Sequence, residues 1–342
     1  PGKTVLGQHG DTACDHYHRY AEDVALMREL GLGAYRLSVS WPRVLPEGTG
    51  AVNAAGLDFY DRLVDALCDA GIAPYVTLFH WDLPLALHRR GGWLNRESAG
   101  WFADYAGLVA ARLGDRVAHW ITINEPTIIL LCGYWEGGLA PGWRVGLADL
   151  LQMAHHLLLA HGRGVQALRA AAPRAIQVGW THASAPSVPA METPADVDAA
   201  RQRTFALPDD PHTDDFHTNS WWNDPVYLGR YPQAPAGWQA CLPRIQADDL
   251  ATISVPVDFC GLNIYHSHLT RAGAAGPEKL PWPEGRPRTM MRWPVTPEAL
   301  YGGPRFFHER YASSVFIFES GMAGSDVVAR DDLVGILSHR RE

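Results

Sequence analysis

Short β-like runs alternate along this chain with longer stretches in which apolar residues recur at helical spacing. Tyr20, Val24, Met27 and Leu30 show that spacing, and Gly31 follows as a C-terminal cap. Strands that alternate with helices form parallel βαβ units with right-handed crossovers, so the sheet either winds doubly or closes into a barrel. The predicted strands cover 34–41, 73–81, 118–124, 175–181, 257–265 and 314–319, and further helices cover 57–67, 98–113, 148–170 and 297–311.

The strand count favours an α/β fold of the (β/α)₈ TIM-barrel type that is incomplete, with about six of the eight strands identifiable. Barrels of this type span about 200 to more than 400 residues as one domain. The 342 residues are therefore interpreted as a single catalytic barrel domain, 1–342. Two segments rich in Pro, Gly and Asp, 183–220 and 266–293, are predicted to be long surface loops.

Charge and composition exclude several classes of function. Lys and Arg number 29 against 37 Asp and Glu, which gives a net charge of −8 and no basic face for nucleic acid. Apolar runs such as Ile128 to Cys132 fall far short of the roughly 20 residues that cross a bilayer. Five widely spaced cysteines without a Cys-x-x-Cys pair favour a reducing compartment. We therefore expect a cytoplasmic protein with no signal peptide, membrane partner or nucleic-acid partner.

Polar side chains cluster where the predicted strands end. Because the C-terminal ends of barrel strands form one face, residues far apart in sequence are expected to converge there. A carboxylate in an otherwise apolar strand is costly unless it is paired or functional. Glu125 and Glu319 are therefore either catalytic or part of a structural ion pair with Arg36. The clustered residues are Arg36, His80, Asn124, Glu125, Asn263, Tyr265 and Glu319.

Two carboxylates beside abundant Trp and Tyr, which number 13 and 12, point to glycoside hydrolysis. One carboxyl group must give a proton to the leaving oxygen, and the other must attack the anomeric carbon or activate water. Arg36 is expected to keep the nucleophile ionised by charge pairing, and Tyr265 to donate a hydrogen bond to it. A separation of about 5–5.5 Å between the carboxyl groups is expected for a retaining mechanism.

An ordered series of motifs makes the chain similar to glycoside hydrolase family 1 β-glucosidases over roughly residues 1–325. The most diagnostic segments are Thr122-Ile-Asn-Glu-Pro126 and Leu78-Phe-His-Trp-Asp-Leu-Pro84 with Gly91-Gly-Trp93. The other segments that resemble the family are Cys14-Asp-His-Tyr-His-Arg-Tyr20, Tyr35-Arg-Leu-Ser-Val-Ser-Trp-Pro-Arg43, Pro297-Glu-Ala-Leu-Tyr301 and Phe318-Glu-Ser-Gly321.

The resemblance implies a retaining β-glycosidase that cleaves terminal β-D-glucosyl or related residues through a covalent glycosyl-enzyme. In this family pattern Glu125 is the general acid/base and Glu319 the nucleophile. His80 and Asn124 hold sugar hydroxyls, and Asn124 is placed at the 2-hydroxyl. β-Glucosides or oligosaccharides are the implied partners, and no cofactor is implied.

The resemblance also assigns supporting residues. Arg36, Asn263 and Tyr265 are implied to support the nucleophile. Trp293, in Arg-Trp-Pro-Val, matches the aromatic residue that stacks on the aglycone side. Trp81 is interpreted as packing behind the site.

Departures from the family pattern leave an alternative open. Phe318 stands where a Thr usually precedes the nucleophile, and Ile264 stands where a Tyr is frequent. The segments that the family uses for its first and eighth strands are also expected to be absent. A truncated, catalytically weak or inactive homologue is therefore the alternative to an active enzyme, and a third alternative is that the sequence belongs to a longer chain. If residues 1–342 are the whole chain, strands 34–41 and 314–319 are apolar edges, and we expect self-association into a homo-oligomer with little or no β-glucosidase activity.

A metal site is not expected. The segment Asp15 to His18 carries two histidines, but it opens a helix, where residues two apart point in different directions. His155, His156 and His161 are interpreted as helix-face residues. The preferred sugar and the aglycone are left open.

Overall fold

The computed structural model describes residues 7, 9–209, 218–324, 327–328 and 336–337. The strands are β1 Ala34–Ser38, β2 Ala73–Phe79, β3 His119–Asn124, β4 Gln177–Ala183, β5 Ser187–Pro189, β6 Phe259–Asn263, β7 His268–Gly273, β8 Gly276–Leu280, β9 Val315–Glu319, β10 Val327–Val328 and β11 Ile336–Leu337. The α-helices are α1 His16–Glu29, α2 Trp41–Val44, α3 Ala54–Asp69, α4 Leu85–Arg89, α5 Ser98–Leu113, α6 Pro126–Leu130, α7 Leu147–Ala171, α8 Pro194–Phe205, α9 Asn219–Leu228, α10 Asp249–Ile253 and α11 Ala299–Tyr311.

The main sheet of the described residues has six strands in the order β1-β2-β3-β4-β6-β9. The pairs β1–β2, β2–β3 and β3–β4 are parallel, with Leu37 opposite Val76 and Trp120 opposite Val178. Helices separate consecutive strands of this sheet in sequence, as in a (β/α)₈ barrel. The six predicted strands and the incomplete-barrel fold class are therefore confirmed. β1 ends at Ser38 rather than at residue 41, because Trp41 and Pro42 begin the short helix α2.

The five predicted helices are confirmed, and α5 has the predicted ends. Helix α1 ends in a Schellman-type turn: Gly31 has φ +73°, and the Leu32 N–H donates to the carbonyl of Met27 at 3.0 Å. Within the described part of the chain, no helix has both the length and the apolar character that a membrane span requires.

The chain divides into two compact units, of which unit 1 comprises Pro1–His182 and Leu207–Gly261. Its core is rich in aromatic rings, and Trp41 stacks on Tyr105 with ring centroids 4.9 Å apart. The Tyr105 hydroxyl lies 3.0 Å from the carbonyl oxygens of Val39 and Leu78. Val39 directly follows β1, and Leu78 is near the end of β2. One buried phenol thus contacts the C-terminal ends of two neighbouring strands.

Unit 2 comprises Ala183–Ala206 and Leu262–Glu342. It contains a second sheet in the order β5-β7-β8, in which β7 and β8 form an antiparallel hairpin. The prediction of surface loops over 183–220 and 266–293 is therefore wrong in part, since α8, the start of α9 and these strands lie there. The missed signal at α8 is Thr193-Pro194: the Thr193 hydroxyl accepts the Asp196 N–H at 3.2 Å, and Pro194 begins the helix.

A buried polar network in unit 1 is centred on Asp249, which is 3% exposed. Its carboxylate accepts hydrogen bonds from Arg96, from His155 Nε2 at 2.8 Å and from the Gln246 N–H at 2.8 Å. Because that bond places the proton on Nε2, the Nδ1 atom of neutral His155 accepts the Tyr231 hydroxyl at 2.9 Å. Burial acts to raise the pKa of Asp249, but the bonds from Arg96, Gln246 and His155 outweigh it and hold this pKa well below its usual range.

Replacing Asp249 with alanine is expected to lower the free energy of unfolding at pH 7 by about 3 kcal/mol, because the buried His155 and the charged Arg96 lose their acceptor. The stabilisation that Asp249 provides is present above the ordinary aspartate pKa of 3.8 and is lost as the pH falls below it. Denaturant unfolding at pH 7 measures the difference. Asp248→Ala is the matched control, since Asp248 is exposed; equal losses in the two variants would contradict the prediction.

The histidines near the start of α1 bond to separate carboxylates. His16 Nδ1 lies 2.5 Å from Asp23 Oδ2, and His18 Nδ1 lies 2.7 Å from Asp15 Oδ1. In α7, His155, His156 and His161 are all buried, so their interpretation as simple helix-face residues misses their hydrogen bonds inside unit 1.

Candidate active site

Glu125 directly follows β3 and precedes α6. Its backbone adopts the left-handed conformation with φ +47°, and its N–H donates to the Thr181 carbonyl at 2.8 Å. Pro126, which has a fixed φ suited to a first helical turn, begins α6. The turn at Glu125 thus lies at the C-terminal end of a buried parallel strand, and the side chain is 6% exposed. A carboxyl group at this depth is shielded from bulk water.

Three side chains in unit 1 form a polar row beside Glu125. Arg36 Nη2 donates to Asn124 Oδ1 at 2.6 Å, and Arg36 Nε donates to Thr77 Oγ1 at 3.0 Å. Asn124 Nδ2 lies 3.3 Å from His80 Nε2. Since the amide nitrogen can only donate, Nε2 is the acceptor and the proton of neutral His80 is on Nδ1. The structure therefore brings Arg36, His80 and Asn124 together, and Glu125 is the residue that follows Asn124 in the chain.

Trp81 contributes more than packing. Its backbone has φ +80°, and its indole N–H donates to the backbone carbonyl of Asn124 at 3.0 Å. The ring centroids of His80 and Trp81 lie 5.2 Å apart. Trp81 therefore fixes the backbone on which Asn124 and Glu125 are carried, a role that the sequence position alone did not indicate.

The predicted nucleophile, Glu319, ends β9 in unit 2 and is half-buried. Its Oε2 atom accepts the Tyr265 hydroxyl at 2.8 Å, which confirms the predicted hydrogen bond. The Ile264 N–H donates to the Glu319 carbonyl at 2.9 Å, so β9 and the end of β6 hold Tyr265 and Glu319 at the same level. Ile264 itself is 1% exposed and packs into the core.

Trp293 lies next to Tyr265, with ring centroids 5.8 Å apart. His266 also contacts this indole, with ring centroids 5.0 Å apart, and sequence reasoning missed this neighbour. Asn263, the last residue of β6, is 1% exposed, and its carbonyl accepts the Ser184 N–H at 2.9 Å. Unit 2 thus groups Asn263, Tyr265, Trp293 and Glu319, which the sequence assigned to one site.

The Phe318 ring stacks on Phe316 two residues earlier, with centroids 5.8 Å apart and planes 10° apart. The two rings lie on one face of β9 because strand side chains alternate. Glu319, one residue later, lies on the opposite face from Phe318. The unusual aromatic residue before Glu319 therefore packs along the strand.

Within the described ranges, no group of three or more His, Cys, Asp or Glu side chains is arranged to hold a metal ion.

Asp82 adds a titratable group two residues beyond His80. Burial raises the pKa of Asp82 to about 6, against the opposing effect of the Ser40 hydroxyl and backbone N–H groups that donate to it. The folded chain therefore binds a proton at Asp82 more tightly than the unfolded chain does between pH 3.8 and about 6.

We expect the Asp82 contribution to the free energy of unfolding to be largest below pH 3.8 and to fall by about 3 kcal/mol in all as the pH rises through about 6, with about 2 kcal/mol of this fall between pH 4.5 and pH 8. Asp82→Asn should remove this pH dependence. Unfolding in denaturant at pH 4.5 and pH 8 measures it for both chains. Asp104→Asn, at an exposed position, should keep the dependence of the original chain; an unchanged dependence in Asp82→Asn would exclude the assignment.

The sheet is of the parallel barrel type, and carboxyl, amide, imidazole and aromatic side chains lie at its strand ends. These features are typical of a glycoside hydrolase. The chain belongs to glycosyl hydrolase family 1, whose family model matches residues 1–334.

Two relatives and one solved structure illustrate the match. β-Glucosidase A of Thermotoga maritima is 40% identical over 337 residues, which cover 98% of this chain and 73% of that protein. Thermostable β-glucosidase B of Thermobispora bispora is 46% identical over 303 residues, covering 86% of this chain and 59% of that protein. The solved structure of the Thermotoga maritima β-glucosidase with deoxynojirimycin superposes with a TM-score of 0.83 at 39% identity, covering 96% of this chain and 72% of that one.

Proposed function

We propose that this chain is a retaining β-glycosidase that hydrolyses terminal β-D-glucosyl or related residues. The observation that carries the proposal is the row of Arg36, Asn124 and His80 hydrogen-bonded beside the buried Glu125. A row of fixed donors and acceptors next to a shielded carboxyl group suits the recognition of sugar hydroxyls beside the bond to be cleaved.

Glu125 is proposed as the general acid/base. In the first step its carboxyl proton goes to the glycosidic oxygen, so that the aglycone leaves as a neutral alcohol. In the second step the resulting carboxylate takes a proton from water as that water attacks the glycosyl-enzyme. The depth of Glu125 supports this role because few competing waters reach the group.

Glu319 is proposed as the nucleophile. Its carboxylate attacks the anomeric carbon, a C–O bond forms to the enzyme, and the bond to the leaving oxygen breaks. The hydrogen bond from Tyr265 supports this role by orienting the carboxylate. Arg36 is proposed to favour the ionised form of the nucleophile, and Asn263 to support its position.

The sugar is proposed to lie against His80 and Asn124. The Asn124 side chain is held by Arg36 and its backbone by Trp81, so its amide is fixed before a ligand arrives. We assign Asn124 to the 2-hydroxyl of the sugar, where hydrogen bonds strengthen in the transition state. Trp293, which contacts His266, is proposed as an apolar platform for the aglycone.

The single catalytic domain, the cytoplasmic location and self-association into a homo-oligomer stay proposals. None of the five cysteines forms a disulfide, which supports a reducing compartment. β-Glucosides or oligosaccharides are the proposed partners, and neither a nucleic acid nor a membrane is proposed.

Hydrolysis of 4-nitrophenyl β-D-glucoside, followed by NMR of the product, tests the function. We expect β-glucose to appear first, because two inversions at the anomeric carbon retain its configuration. If α-glucose appeared first, the enzyme would be inverting rather than retaining. Deoxynojirimycin, bound in the Thermotoga maritima structure, is expected to inhibit hydrolysis; binding of it without any hydrolysis would favour the inactive homologue to which the Phe318 departure points.

A further inference from the structure

A cavity of about 150 Å³ lies in unit 1, on the side of Trp81 and α6. Its walls are mostly apolar or aromatic and include Trp81, Leu85, Trp93, Ile128 and Tyr134. Leu85 is 59% exposed and Trp93 is fully buried. The cavity therefore opens near Leu85 and reaches inward to Trp93. Its volume equals that of an engineered apolar cavity known to hold a benzene ring.

Two polar atoms of the lining residues are buried without a hydrogen-bond partner among the described residues. They are Nδ1 of His88 and the indole Nε1 of Trp93. Burial lowers the pKa of His88, so the imidazole is neutral at pH 7. A β-carbon added at Gly92 would lie 3.5 Å from both His88 Nδ1 and the Tyr134 hydroxyl, so these two groups lie around the same point.

Buried polar groups normally find partners, because an unsatisfied donor or acceptor costs free energy. A hydroxyl group can donate to an unprotonated ring nitrogen or accept from a protonated one, so it can serve an unpartnered nitrogen of a lining residue in either state. The remaining walls offer a ring-sized apolar volume.

We infer that this cavity binds a small apolar ring, aromatic or alicyclic, that carries one hydroxyl group, with the hydroxyl at the imidazole of His88. The ring could be a free molecule or the non-sugar part of a glycoside, and both share this chemistry. Binding itself stands independently of the proposed function.

The cavity is coupled to the candidate site through two of its walls. Ile128 lies in α6, three residues after Glu125. Trp81 donates its indole N–H to the carbonyl of Asn124. A ring in the cavity therefore contacts both elements that position Asn124 and Glu125. The expectation that occupancy changes hydrolysis rests on the proposed function.

Calorimetric titration of the full chain with 4-methylphenol and with toluene tests the binding. We expect 4-methylphenol to bind more tightly than toluene. His88→Leu should lower the affinity for 4-methylphenol about 5- to 10-fold and change the affinity for toluene by less than about 2-fold. Leu85→Trp should abolish binding of both by filling the opening. Leu242→Trp is the matched control, since Leu242 is 43% exposed and is not a lining residue; it should bind as the original chain does.

Lack of binding up to the solubility of both probes would overturn the inference, as would unchanged binding in Leu85→Trp. Circular dichroism of each variant shows whether a loss of binding comes from unfolding. If Leu85→Trp is unfolded, His88→Leu decides the question, since equal weakening of the two probes would contradict a hydroxyl contact at His88.

Kinetics then distinguish the two sources of the ring. For a free molecule, 4-methylphenol changes kcat for methyl β-glucoside without competing with it. For an aglycone, Leu85→Trp raises KM for 4-methylphenyl β-glucoside and leaves KM for methyl β-glucoside unchanged. If the chain hydrolyses neither glycoside, the proposed function fails while the calorimetric result still decides the binding of the ring.

Discussion

Replacing Glu319 with alanine is expected to lower kcat for 4-nitrophenyl β-glucoside by at least about 10⁴-fold, because no carboxylate remains to form the glycosyl-enzyme. Azide, a small anionic nucleophile, should restore part of the turnover by entering the space that the side chain leaves. The azide attacks the anomeric carbon from the side of Glu319, so the product should be the α-glycosyl azide. Stopped assays with and without azide, with NMR of the product, measure both effects.

Glu284→Gln is the matched control for this experiment. Glu284 is an exposed glutamate in the same unit, and its replacement should leave kcat unchanged. A Glu319→Ala protein that is folded and retains more than about a tenth of the original kcat would show that another group is the nucleophile.

Replacing Glu125 with glutamine is expected to slow hydrolysis according to how strongly the leaving group needs a proton. For methyl β-glucoside, whose alkoxide is a poor leaving group, the loss in kcat/KM should reach about 10²–10⁴-fold. For 2,4-dinitrophenyl β-glucoside, which leaves without a proton, the formation of the glycosyl-enzyme should be nearly unaffected. Steady-state kcat/KM for a series of aglycones measures the dependence.

Glu136→Gln separates this effect from a general change of charge. Glu136 is exposed and lies eleven residues after Glu125 on the segment that follows α6; its loss should leave the dependence on aglycone as in the original chain. If Glu125→Gln lowered kcat/KM for methyl and dinitrophenyl glucosides by the same factor, the assignment of Glu125 as the acid would be wrong.

The periodicity of the sequence predicted the main sheet well, because buried parallel strands leave strong apolar runs. Each run ends where polar residues begin, so the positions of Arg36, His80 and Asn124 followed from the fold. The partner of each side chain did not follow. That Arg36 donates to Asn124, and that Asn124 contacts His80, depends on sub-ångström placement that no spacing encodes.

Unit 2 was harder to predict, because glycine and proline occur in its short strands as well as in its turns. The hairpin of β7 and β8 contains Gly273, Pro277 and Gly276, and Gly276 has φ +127°. These residues indicate a turn, but they also hide the strands on either side of it. The contact of His266 with Trp293 was missed for another reason: it joins residues 27 positions apart through a loop.

The separation of about 5–5.5 Å between the carboxyl groups of Glu125 and Glu319 stays a prediction, which a retaining mechanism requires. The roles of the eight assigned residues likewise stay proposals that the variants above decide.

Because the backbone at Glu125 is left-handed, the residue that would stabilise the fold most at this position differs from the residue that is proposed to be needed for catalysis. Glycine adopts φ +47° without the steric penalty that a side chain brings, and it also removes a carboxyl group from a nearly water-free position. Mutagenesis followed by selection for thermal resistance alone should therefore enrich glycine here, and selection for turnover should remove it. A variant with glycine at this position is therefore expected to be more stable to heat than the original chain and to have lost its hydrolytic activity.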